Sequence, residues 1–374
     1  MSTVSGGGAS AVREVDLLVV GGLGLDIAVA VPSVPPPDAD STTVPPIDLR
    51  VGNTGAGVAL AAAALGLRVL VVDTLGADPA GEIVRAALHR AGVAHRLVDD
   101  PRGTRRSVSL IDPAGRRSSL YDPRGGWAGP PPFAGWELAQ LAAAARHVHV
   151  SIMDWVAPLV PDLAGSARSS STDLHDWDGE NPYHRAFLPA ADIVFVSGTE
   201  LGDRLDATLR AVLDGARQAA PPARPAVSEV TSALPGAYPP TADGGSATSP
   251  AGGPSPADVE PQRGGPAFSG VGRRRGGPAF EDGRLPLAVG TLGERGARVM
   301  PGDAVPFDVP AAAPPAAIVD SNGAGDAFAA GFIAARLRGE RVDRAAGYAA
   351  RVAVASCTVA GMEYPPGLLP APGG

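Results

Sequence analysis

Leu17-Leu18-Val19-Val20 is an unbroken apolar run between Asp16 and Gly21-Gly22, and such a run predicts a short strand buried on both faces, as in the middle of a parallel sheet. Further along, apolar periodicity predicts a helix from about 55, a strand at 69–72 and a helix at 81–90. Strands follow at 148–152 and 193–196, then a helix at 201–218, a strand at 287–289, and helices opening near 325 and 343. Strands that alternate with helices call for an α/β fold, a doubly wound, mostly parallel sheet flanked by helices. Two stretches, about 28–50 and 104–124, alternate apolar and polar residues without a long helix.

Residues 221–283 break the pattern altogether. They are rich in Pro, Gly, Ser and Ala, and repeat Arg-Gly-Gly-Pro-Ala-Phe at 263–268 and 275–280. This composition predicts a disordered insertion between a helix and the next strand, and closing such a loop costs entropy that grows slowly with length. Its Arg273-Arg274-Arg275 reads as a solvated charge run. The expected layout is a disordered N-terminus at 1–14, one domain at 15–361 and a tail at 362–374.

Composition narrows the partners. A net charge of −8 over 374 residues argues against nucleic acid or an anionic membrane as the main partner. The single cysteine, Cys357, cannot form an internal disulfide and suits a reducing compartment. Residues 1–10 lack a basic region, and the apolar run at 17–31 is interrupted by Asp26 and glycines, so no targeting or spanning segment is expected and a cytoplasmic location is.

Candidate chemistry concentrates at two glycine-rich turns. Asp320-Ser321-Asn322-Gly323-Ala324-Gly325-Asp326-Ala327-Phe328 enters an apolar helix, where small residues let backbone N–H groups approach an anion and the helix dipole adds positive charge. Asp326 at that helix start suits a general base for a hydroxyl attacking a phosphoryl group, and an ordinary N-cap explains it equally well from the residues alone. Gly52-Asn53-Thr54-Gly55-Ala56-Gly57-Val58-Ala59 forms the second turn, ahead of an alanine-rich helix. No Gly-x-x-x-x-Gly-Lys-Ser/Thr occurs, and Gly22-Leu23-Gly24-Leu25-Asp26-Ile27 lacks the third glycine of a dinucleotide fingerprint. His147-x-His149 and the group Asp173, His175, Asp176 and Asp178 lack strong metal-ligand spacing, and Asp173 reads as the end of a strand beneath the site.

The two turns together resemble the N- and C-terminal signatures of the ribokinase-like (PfkB) carbohydrate kinases. The resemblance runs from about 15 to 361 apart from the insertion and implies ATP-dependent phosphorylation of a sugar hydroxyl, with a small β lid formed by 28–50 and 104–124. It implies Asp326 as the catalytic base, Gly323, Ala324 and Gly325 as the anion hole, and Asp26, Gly52, Asn53, Gly55, Gly57, Asp154 and Asp326 in contact with the sugar. Gly57 departs from the hydroxyl-binding Asn that many sugar kinases carry, which leaves the sugar's identity open. Ser197, Thr291, Gly293 and Gly296 would line the nucleotide, Glu200 would reach Mg²⁺ through water, and Asp320 matches a position associated with a monovalent cation, K⁺. Ser197 itself stands where the family has Asn, a shorter reach. ATP and Mg²⁺ are the implied cofactors, a small-molecule sugar or nucleoside the implied partner, and a homodimer through the lid the implied assembly. A nucleoside kinase and a catalytically weak binding regulator are the alternatives. Arg124, just past the lid hairpin, is a candidate for pairing with an anionic substrate group, against a solvated turn residue.

Overall fold

β1 (Leu17–Val20) is the central strand that its apolar run predicts. It pairs in parallel with two neighbours, and all four of its side chains are buried. The computed structural model describes residues 15–114, 116–124, 127, 129–219 and 286–371, so the expectations for 1–14 and 221–283 lie outside the described residues. After β1 come β2 (Gly24–Ala30), β3 (Asp48–Gly52), α1 (Thr54–Ala64), β4 (Val69–Leu75), α2 (Pro79–Arg90), β5 (Ala94–Asp99), β6 (Arg106–Ile111) and β7 (Arg117–Asp122). The chain continues through α3 (Gly135–Ala144), β8 (His147–Val150), α4 (Val160–Ser166), β9 (Ser170–Asp173), α5 (Pro182–Arg185), β10 (Ile193–Ser197) and α6 (Leu205–Ala219). It ends with β11 (Leu287–Thr291), β12 (Ala297–Pro301), β13 (Phe307–Val309), α7 (Ala324–Leu337) and α8 (Val342–Ser356).

The main sheet runs β13-β12-β11-β10-β9-β8-β1-β4-β5, parallel from β11 to β5 with antiparallel β12 and β13 at one edge. Period-two alternation splits β1 between two cores. Leu17 and Val19 join α1, α7 and α8, including Val58, Phe328 and Ala349, whereas Leu18 and Val20 join α3, α4 and α6, including Leu138, Leu163 and Leu209. Chain order reverses between β1 and β8, which opens the crevice at the carboxyl ends of the strands where such sheets bind ligands.

The lid is a separate sheet ordered β3-β2-β6-β7. Its first segment runs from Gly24 to Gly52, wider than the expected 28–50, because β2 leaves β1 through a single glycine turn. Register places Arg50, Asp26, Ser107 and Tyr121 abreast on one face, and Leu49, Ile27, Val108 and Leu120 abreast on the other. The tail is not separate from the domain. Met362 and Leu369 are buried, and the Tyr348 hydroxyl donates to Pro370 O at 2.7 Å.

Candidate active site

Gly323 caps α7 in the left-handed region, at φ 78°. A Cβ there would stand 2.8 Å from Met362 Cγ, so both the backbone angle and the packing require glycine. Gly325, two residues on, is exposed, and a Cβ there would meet nothing within 4 Å. The amides of this first turn have no intrahelical acceptor and carry the positive end of a helix buried from Ala327 to Leu337.

The N-terminus of α1 stands opposite. Asn53 takes φ 74°, and its side chain accepts from Thr54 N at 2.9 Å. The glycines here are dictated by protein atoms. A Cβ on Gly52 would lie 2.1 Å from Asp26 Cγ, one on Gly55 2.0 Å from Gly21 O, and one on Gly57 2.2 Å from Asp326 Oδ2. Gly57 therefore brings the backbone of α1 against the Asp326 carboxylate, a position that no side chain could share.

Three carboxylates converge on this gap. Asp26 Oδ1 accepts from Ser107 Oγ at 2.6 Å and its Oδ2 from Asn322 Nδ2 at 3.3 Å, joining the lid to the anion turn. Asp173, at the end of β9, accepts from His175 N at 2.8 Å, and the His175 ring lies 3.1 Å from Thr54 Oγ1. Asp326 has its proton affinity raised well above the ordinary carboxylate range, chiefly by burial and further by the charges of Asp173 and Asp26. A carboxyl group tuned upward beside donors for an anion can take a hydroxyl proton near neutral pH. Asp173, His175, Thr54 and Ser107 were not among the sequence candidates as binding groups. The sequence does place Asp173 at a strand end beneath the site, where open sheets bind ligands, but no local pattern singles out the others as binding groups.

Of the residues expected to line the nucleotide, Ser197 and Thr291 end adjacent strands in register, and Gly198 N donates to Thr291 O at 2.8 Å. Gly293 takes φ 59° with open space around it. Gly296 is different, because a Cβ there would lie 2.0 Å from Val309 O, so packing against β13 accounts for it. An open cleft of ≈ 600 Å³ beside this edge is lined by Gly202, Leu205, Leu292, Arg295 and Pro310. Glu200 is exposed in the turn three residues past β10, and one carboxylate with substrate phosphates and water is a donor set that Mg²⁺ accepts.

Other candidates are placed differently. Asp154 is exposed, and its charge acts on Arg102 and on Tyr183, whose hydroxyl donates to Ile152 O at 2.6 Å. Arg124 is tied into its own turn, its Nε donating to Thr104 O at 3.2 Å and its guanidinium pairing with Asp122 at 3.2 Å. Asp320, expected as a monovalent-cation ligand, instead accepts Arg50 Nη1 at 2.7 Å and Gly361 N at 3.1 Å on Oδ2, and Asn322 N at 2.9 Å on Oδ1. A guanidinium already neutralises that carboxylate, so the residues present do not suit K⁺. His147 is pushed down to about 3 and His149 to about 4 by burial, and His147 Nδ1 and Nε2 each lie 2.8 Å from a serine hydroxyl, those of Ser169 and Ser171.

The model of the pfkB family carbohydrate kinases matches residues 16–232 and 279–366, both glycine-rich turns included. The chain belongs to the PfkB family of carbohydrate kinases. As such it is an enzyme, a phosphotransferase with an alcohol group as acceptor. This kinase is 33% identical over 348 residues to the acarbose 7(IV)-phosphotransferase of an Actinoplanes species, covering 93% of each chain. A solved microbiome-derived acarbose kinase superposes with a TM-score of 0.67 at 32% identity, over 94% of this chain and 96% of that one. The ribokinase of Arabidopsis thaliana, complexed with ribose and ATP, superposes with a TM-score of 0.65 at 18% identity, over 96% of each chain, and shows the shared fold. Among the described residues, no helix is long and apolar enough to cross a membrane.

Proposed function

We propose that this kinase transfers the γ-phosphoryl group of ATP to a hydroxyl of an acarbose-type pseudo-oligosaccharide or a closely related sugar derivative. The observation that carries the reaction is Asp326 at the start of α7, raised in proton affinity and facing Asp26 and Asp173. The likeness to two acarbose-phosphorylating proteins, at 33% and 32% identity, supports the substrate class. Asp26, with Gly52, Asn53, Gly55, Gly57 and Asp154 around the sugar, accepts hydrogen bonds from its hydroxyls and orients one of them toward Asp326. Asp326 takes that hydroxyl's proton as the new O–P bond forms and the bond to the β-phosphate oxygen breaks, releasing ADP. The amides at Gly323, Ala324, Gly325 and Asp326 hold the equatorial oxygens. Ser197, Thr291, Gly293 and Gly296 border the nucleotide, and Glu200 would hold Mg²⁺ through water. The ion supplies neutralisation of phosphate charge. A cytoplasmic location suits an ATP-consuming protein with one cysteine.

ATP turnover with acarbose, ribose and adenosine tests this reading. The expected result is a kcat/KM for acarbose at least about tenfold above the others, the size of one well-made group of contacts. A preference for adenosine would make the enzyme a nucleoside kinase, and no turnover of any hydroxyl acceptor would favour a binding regulator. The assembly proposed with this function is a homodimer through the lid. Its support is the outer row that carries Leu49, 54% exposed, and Leu120, 62% exposed, and its test is sedimentation of the wild type against Leu120→Glu.

A further inference from the structure

Arg50 rises from β3 and reaches across the lid boundary to the chain just before α7. Its Nη1 lies 2.7 Å from Asp320 Oδ2, its Nη2 pairs with Asp48, and its stem passes Gly361 so closely that a Cβ there would stand 3.2 Å from Arg50 Cδ. Asp320 is well sheltered, its side chain 11% exposed, and its two oxygens accept three donors from three segments: the lid, the turn at Asn322 and the loop at Gly361. The backbone amides of Val319 and Asp320 are fixed as well, both donating to Cys357 O at the end of α8, at 2.8 and 3.1 Å. On the far edge of the lid, Arg117 Nη1 donates to Asn322 Oδ1 at 3.1 Å, and Asn322 Nδ2 continues to Asp26.

We infer that Arg50 is the built-in counter-cation of Asp320, a positioning residue that fixes the anion turn and makes this kinase independent of a monovalent metal ion. The physical reason is exclusion. A K⁺ ion beside Asp320 would have to share one carboxylate with a guanidinium at 2.7 Å, and like charges at that range repel strongly in a sheltered site. The guanidinium also does what a bound ion would do, because it neutralises a carboxylate next to a turn that must receive phosphate. It adds directional hydrogen bonds, and an ammonium would lose their fork geometry. The charge is carried by the lid, so the pairing also ties the strand bearing Asp26's neighbour to the turn bearing Asp326.

The kinetic part of the test rests on the sugar-kinase reading, but the thermal part does not. At constant ionic strength, melting temperature and, with the best sugar, kcat are measured in KCl and in tetramethylammonium chloride. For the wild type, the melting temperature should be the same in both salts and kcat should agree within about twofold. Arg50→Ala should lose at least about tenfold in kcat, the size of one charge-assisted bond, with a smaller change in the KM for sugar. Methylguanidinium should restore part of that loss, and Arg50→Lys should fall between the two. A wild type that is stabilised by K⁺ in the absence of substrate, or that loses tenfold in kcat without K⁺, overturns the inference. So does an Arg50→Ala enzyme with wild-type kcat. If Arg50→Ala does not fold, the wild-type salt comparison and Arg50→Lys still decide. An absence of sugar turnover bears on the proposed function alone, because the melting comparison needs no substrate.

Discussion

The two glycine-rich turns look alike in sequence, but the glycines of the first and Gly325 of the second stand in opposite surroundings. At Gly52, Gly55 and Gly57 the missing Cβ makes room for protein, since each added carbon would stand within 2.0–2.2 Å of Asp26, Gly21 or Asp326. At Gly325 the missing Cβ faces open space, with no protein atom within 4 Å. One turn is a spacer that lets α1 and the lid close on two carboxylates, and the other, packed against Met362 at Gly323, is bare at Gly325. A glycine-rich motif therefore does not by itself say whether it binds anything. What the glycine would collide with says it.

Removing the base is the strongest way to break this comparison, because both turns converge on it. Asp326→Asn should lower kcat by about a hundredfold or more, the ordinary contribution of a general base, as measured by steady-state ATP turnover. It should also raise the melting temperature above pH 7. The sign follows from linkage: an acid whose proton affinity is higher folded than unfolded costs no stability below its unfolded value, and costs progressively more as pH rises through its folded value. The amide carries no charge and escapes that cost. A mutant with near wild-type kcat would remove Asp326 from the mechanism.

Gly57→Ala comes next in size. The new carbon must displace either α1 or the Asp326 carboxylate, and overpacking of this kind costs about 1–3 kcal/mol. Differential scanning calorimetry should show a lower melting temperature, and kcat should fall by tens-fold through misplacement of the base. Gly325→Ala is the control, and it should leave the melting temperature unchanged or higher, because Ala favours helix over Gly by about 1 kcal/mol. Its kcat should still fall by about tenfold, since a methyl group crowds the approach of the phosphoryl oxygens. Equal destabilisation by both substitutions would erase the distinction between the turns.

How far the site was legible in the sequence follows the same division. The apolar run of β1, the helix after Gly325 and the signature around Asp326 are local patterns, and a strand or helix period is visible within a few residues. The roles of Arg50, Ser107 and His175 are not local. Arg50 reaches a partner at Asp320 far along the chain, Ser107 meets Asp26 only because β2 and β6 pair in parallel, and His175 reaches Thr54 from the end of a different strand. Edge strand β5, with no fully buried residue, lacks the continuous apolar run that marks β1, and the sequence pattern does not predict it for that reason. In the sequence Gly57 is a departure that leaves the sugar's identity open. Its steric role against Asp326 appears only when α1 and α7 are packed together.

The smallest expected effect concerns how Asp326 acquires its proton affinity. Burial contributes most, and it comes from both turns, whereas the charge of Asp173 comes from neither, entering from the end of β9 across the cleft. Asp173→Asn keeps the shape of the strand end and retains an oxygen that can accept from His175 N, but removes the charge. With one negative neighbour gone, the Asp326 carboxylate is easier to ionise, so its proton affinity falls toward the ordinary range. The base works only when ionised, and the acid limb of kcat/KM should therefore move to lower pH in Asp173→Asn, by less than the full displacement because burial and Asp26 remain. The profile from pH 4 to pH 8 with the best sugar reads this directly. An acid limb that stays in place would assign the whole effect to the packing of the two turns, and loss of activity across the whole pH range would mean that Asp173, rather than Asp326, is the group that must be charged.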